Sequence, residues 1–132
     1  MLIRISTLFL FSILTAVQAG EVSYDCAIKQ ETFLRDDGSL KPYPRNLYVG
    51  QKFVVDRIKG AIVGQLLQNS TASEIVILNE GTDKRPFELL SISSINGKVT
   101  TDLLVVQHNL PDTVKPFVAL ASTGNVYSGT CK

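Results

Sequence analysis

The sequence predicts an all-β fold: a small antiparallel β-barrel or sandwich of about eight strands, with its first and last strands joined by a disulfide. Three observations predict it. Short β-branched or aromatic runs recur at close intervals, separated by Gly, Pro, Asn and Asp clusters. No segment sustains a helical period. The only two cysteines, Cys26 and Cys131, fall in the first and last of these runs.

Residues 1–19 read as a secretory signal peptide rather than as part of the fold. Arg4 gives a basic start, and residues 5–14 form an apolar core too short for the roughly 20 residues of a membrane span. Val17 and Ala19 then supply the small side chains of a cleavage site. The residue after the cut is Gly20, not the cysteine that a lipid anchor at that point requires. Residues 20–132 remain as a single all-β domain of 113 residues. An exported chain meets an oxidising compartment, so two cysteines read as one disulfide.

Taken in order, Val22, Tyr24, Cys26 and Ile28 alternate with Ser23, Asp25 and Ala27, the period of a strand with one buried face. Residues 31–35 continue it past a bend. Asp36-Asp37-Gly38-Ser39 suits a turn. Pro42 and Pro44 deny residues 41–46 a central position in a sheet, because each lacks a ladder donor. That stretch reads as an extended surface segment leading to Tyr48. Residues 51–56 and 61–67 form a hairpin around Gly60; a helix over 61–67 is the competing reading, weakened by Gly64. Asn69-Ser70-Thr71 is a glycosylation sequon if the source is eukaryotic. Residues 74–78 are a strand. Residues 86–94 and 98–106 pair through Asn96-Gly97, the strongest hairpin signal in the chain. Residues 116–122 turn at Thr123-Gly124-Asn125 into the final strand, 126–131. Sequential hairpins make a meander the simplest topology. The runs at 75–78, 103–106 and 117–121 are apolar at every position, which predicts cover on both faces by a loop, a second sheet or another chain.

Composition narrows the function. Without Arg4 the chain has 12 basic and 12 acidic residues, with no clustered basic face for nucleic acid and no basic amphipathic helix for a membrane surface. No membrane span follows the leader. There is one histidine, His108, so a histidine-rich metal site is excluded and no cofactor is expected. Asp102 and Asp112 flank it at a strand end, but no G-x-S-x-G nucleophile turn accompanies them. Asp36, Asp37, Glu80 and Asp83 lie in predicted loops, and no spacing marks two of them as a glycosidase pair. The chain is therefore expected not to be an enzyme.

Binding remains. A barrel of about eight strands is filled by side chains or holds one small ligand. The extended segment offers Tyr43, Arg45 and Tyr48 as a contact surface, and the last turn offers Ser122 and Asn125. Ser23-Tyr24-Asp25-Cys26 and Ala121-Ser122-Thr123-Gly124-Asn125-Val126-Tyr127 are similar to the Y-x-C and S-x-S-G-x-x-Y pieces of the membrane-bound lysozyme-inhibitor family of bacterial envelopes. That resemblance covers about a dozen residues and implies a small barrel whose loop enters a lysozyme cleft. The chain departs from the pattern at Ala121, at Asn125-Val126 and in its C-terminal ending, and family membership is not assigned. The expectation is a periplasmic or secreted non-enzymatic binding protein. It takes a small apolar ligand or a protein partner, with a lysozyme-type hydrolase inhibitor as the alternative and oligomers possible.

Overall fold

The computed structural model describes residues 22–45 and 47–132; the predicted leader lies outside them. Nine strands and no helix occur among these residues: β1 (Ser23–Leu34), β2 (Leu40–Pro42), β3 (Lys52–Asp56), β4 (Ile62–Gly64), β5 (Glu74–Glu80), β6 (Phe87–Ile95), β7 (Lys98–Val106), β8 (Lys115–Leu120) and β9 (Asn125–Cys131). All pairings are antiparallel, in the order β4-β3-β1-β9-β8-β7-β6-β5, with β2 pairing β1 alone. The sheet curls into a half-barrel. The expected meander runs from β5 to β9, and β9 then returns to lie beside β1.

The disulfide sits at that return. Cys26 and Cys131 are direct cross-strand partners, bonded and buried, so the bond ties the first strand to the last as expected. Six further residue pairs continue the same ladder from Ala27–Thr130 to Phe33–Asn125. Turn chemistry fixes the hairpins on either side. Between β6 and β7, Asn96 and Gly97 both adopt positive φ, 52° and 76°, which the Asn-Gly pair tolerates and which matches the right-handed twist of the flanking strands.

The bend expected in the first strand is a β-bulge. Ile28 pairs Gly129 and Gln30 pairs Ser128, so Lys29 is the extra residue. Before the bulge, Tyr24, Cys26 and Ile28 face the concave side; after it the parity flips and Glu31 is buried instead. Gly129 makes this possible. A Cβ there would stand 2.0 Å from the Ala27 carbonyl oxygen and 2.8 Å from the Phe117 ring.

The core lies inside the curl. Tyr24, Ile28, Phe53, Val55, Phe87, Leu89, Leu104, Val106, Phe117 and Tyr127 are buried there with the disulfide. Phe53 and Phe117 meet edge-to-face at 5.1 Å, and Tyr24 meets Phe87 at 5.5 Å. Burying each of these side chains stabilises the fold by about 1.5–3 kcal/mol.

The structure refines two sequence expectations. The barrel does not close by backbone pairing, because β4 has only three residues and shares no ladder with β5. Side chains link the two edges instead. Arg57 Nη2 donates to the carbonyls of Glu80 (3.1 Å) and Gly81 (3.2 Å). Asn69 Nδ2 donates to the Gly60 carbonyl (2.8 Å) and Ser91 Oγ (3.1 Å), while its Oδ1 accepts from the Ile62 amide (2.7 Å). The second concerns the two-sided apolar runs, for which a second sheet is one of three covers expected. A single sheet accounts for all the described strands, so no second sheet covers the convex face. Val76, Leu90, Leu103, Leu120 and Val126 form one cross-strand row on that face. Neighbours in such a row cover one another, although Leu120 stays 48% exposed.

Candidate functional site

Register places the interior residues in layers. One layer runs Glu31, Tyr127, Ala119, Leu104, Leu89 and Ile77, from β1 through β9, β8, β7 and β6 to β5. The apolar aromatics lie below it and polar groups lie at its rim. Against this layer is a cavity of about 120 Å³. Phe53, Leu104, Ala119 and Tyr127 form its sheet wall, and Ile62, Leu66 and Leu67 form the opposite wall. Ser91, Asp102 and Gln68 supply its polar lining; Asp102 and Gln68 are exposed, so the cavity reaches the surface at its rim.

The apolar opposite wall follows from the seam. After Gly64 the chain leaves the sheet edge, and residues 65–73 cross toward β5. Asn69 holds this crossing: it is only 6% exposed, and its amide spends both donor and acceptor capacity on three partners. The sequon asparagine is thus a buried structural clasp, and a glycan on Nδ2 is incompatible with these bonds.

Four of the five candidate contact residues are brought into one neighbourhood with the buried layer. The Tyr43 amide donates to the Glu31 carbonyl (3.0 Å), and its ring packs edge-on against Phe33 at 5.9 Å. Tyr48 folds inward and meets Tyr127 at 6.4 Å with the rings nearly perpendicular. Asn125 Nδ2 donates to the Tyr127 hydroxyl (3.1 Å). Ser122 lies at the same end; its amide donates to Asp102 Oδ1 (2.8 Å), at the cavity rim. Arg45 is exposed on the connecting loop between β2 and β3.

Glu31 adjoins this group, paired with Tyr127 across the ladder and bonded through its carbonyl to the Tyr43 amide. It is 1% exposed, and neither carboxyl oxygen has a hydrogen-bond partner among the described residues. Burial raises its pKa above the usual carboxylate value. Burial also raises the pKa of Tyr127; the Asn125 bond works against that rise, while Glu31, Tyr48 and Tyr43 are close enough to add to it. The sequence reading did not single out Glu31, because the exact place of the bend decides whether Gln30 and Thr32 or Glu31 faces inward. Gly129 opposite Ile28 was the available signal.

His108 lies at the other end of the interior. Its Nδ1 is 2.7 Å from the Tyr24 hydroxyl, and the Arg57 guanidinium sits 5.0 Å from the centre of the Tyr24 ring. Asp102 and Val106 lie on the same row of β7 about 13 Å of strand apart, and His108 follows Val106, so Asp102 is not the acid partner of His108. Among the described residues, no group of three or more His, Cys, Asp or Glu is placed to hold a metal. No protein-family model matches the chain, and no curated protein or solved structure matches it.

Proposed function

We propose that this chain is an exported, non-enzymatic binding protein, periplasmic or secreted, that takes a small apolar ligand into the cavity beside Ala119. The cavity is the observation that carries the reading. An apolar cavity of roughly 150 Å³ takes up benzene, and a site of about 120 Å³ walled by Phe53, Ile62, Leu66, Leu67 and Leu104 is of similar scale. The polar lining supports binding over chemistry. Ser91 Oγ, the hydroxyl in the wall, accepts from Asn69 rather than from a general base. The disulfide and the leader support export.

The test is a calorimetric titration of the mature protein with toluene, beside Ala119→Leu, which extends a side chain into the cavity. Saturable one-to-one binding that Ala119→Leu abolishes without loss of fold is expected. No binding by the wild-type protein overturns the reading.

A protein partner is the second reading, favoured by the convergence of Tyr43, Tyr48, Ser122 and Asn125 at one end of the curl. A lysozyme-type hydrolase inhibitor belongs to this class. Wild-type protein that inhibits lysozyme and loses the effect in Ser122→Ala or Asn125→Ala favours it over the cavity.

A further inference from the structure

The buried carboxyl of Glu31 has a setting that a core residue does not need. Buried charges are ordinarily paired, because removing an ion from water costs several kcal/mol. No basic side chain is bonded to Glu31 among the described residues, and both oxygens are without partners. Its neighbours are aromatic instead. Tyr127 is its direct cross-strand neighbour on the same face, and Tyr48 stands perpendicular to Tyr127. Tyr43 is held to the Glu31 backbone and backed by Phe33. Tyr43 and Tyr48 are only half-buried, and both flank the loop between β2 and β3 rather than a central strand.

A carboxylate beside tyrosine rings is chemically complementary to one ligand class. An ammonium group is attracted by the negative faces of the rings and supplies the counter-charge and donors that the carboxylate lacks. Tyr127 also lines the apolar cavity, and Glu31 is its partner on the next strand. Neighbouring strands are about 4.8 Å apart, so a ligand two or three bonds longer than its apolar body spans from the cavity to Glu31. We propose that the ligand is an organic amine whose apolar body fills the cavity and whose ammonium head is bound by Glu31, with Tyr43, Tyr48 and Tyr127 as its aromatic walls. This rests on the cavity reading and names the ligand class.

The test compares phenethylamine with propylbenzene, its neutral isostere, by titration of the mature wild-type protein. A charge-assisted contact predicts that the amine binds about tenfold tighter or more. Glu31→Gln removes that advantage. Tyr48→Leu, on the half-buried rim, weakens the amine roughly two- to thirtyfold by loss of a ring face. Equal affinities for the two ligands in the wild-type protein overturn the amine assignment while the cavity reading stands. An amine preference that survives in Glu31→Gln also overturns it. If neither compound binds the wild-type protein, the cavity reading fails and the assignment falls with it. The wild-type ratio needs no variant, so a folding defect in either substitution leaves the test decisive.

Discussion

Replacing Asn69 by alanine probes the device that completes the half-barrel. The side chain links the hairpin of β3 and β4, through Gly60 and Ile62, to β6, through Ser91. Three hydrogen bonds are lost, two of them buried and the third, at the Ile62 amide, partly so. Each such bond contributes about 0.5–1.5 kcal/mol net, so Asn69→Ala is expected to cost about 1.5–4.5 kcal/mol. At roughly 4 °C per kcal/mol for a domain of this length, the midpoint falls by roughly 6–18 °C. Asn69→Asp is expected to do at least as badly at neutral pH, since it replaces the donor by an oxygen facing the Gly60 carbonyl. Urea denaturation gives the free-energy change, and hydrogen exchange at the Ile62 amide reports the clasp itself. A loss under about 0.5 kcal/mol, a value below one net hydrogen bond, with Ile62 protection unchanged, refutes the view that the seam is held by Asn69.

Three further variants test other parts of the account. The Cys26→Ala, Cys131→Ala double variant opens a loop of 105 residues; the chain-entropy model gives about 4.7 kcal/mol as the loss, to be read from urea midpoints of the two proteins. A loss below about 1 kcal/mol, under the typical range, shows that the β1–β9 ladder holds the ends together unaided. Gly129→Ala forces a Cβ against the Ala27 carbonyl oxygen, and overpacking of this kind costs about 1–3 kcal/mol or more; a thermally unaffected variant removes the bulge argument. Glu31 makes a pH signature. Its folded pKa is raised, so the native state holds more protons than the unfolded chain between the two values. Its contribution is therefore most favourable below about pH 4.5, the ordinary value, and is lost as pH rises through the folded pKa. The stability of wild type minus Glu31→Gln should fall with rising pH over that window; a flat difference contradicts the burial of an unpaired carboxyl.

The strands were legible because period-two patterning and turn chemistry are local. Asn96-Gly97 fixed a register by itself, and the Pro42 and Pro44 segment was kept to the edge for want of donors. The pairing of Cys26 with Cys131 was legible by count, since only two cysteines exist. What the pattern did not reveal depends on contacts between distant segments. The bulge at Lys29 reverses which residues of β1 face inward, and only the partner strand, through Gly129, shows why. Asn69 looked like a surface sequon because its three partners are drawn from the β3–β4 hairpin and β6. The cavity is likewise a product of assembly: Leu66 and Leu67 read as ordinary apolar residues until the crossing at 65–73 sets them opposite Ala119. The end-of-curl convergence of Tyr43, Tyr48 and Asn125 joined two candidate surfaces that the sequence offered separately.

The most direct test of the central claim is the mass of the protein expressed with its predicted leader, recorded natively and then denatured without reductant. The account predicts a denatured mass of residues 20–132 less two hydrogens, and a native mass larger by one small organic molecule. A native mass equal to the denatured one contradicts the bound ligand, and a denatured mass that retains Met1 with free thiols contradicts export and closure together.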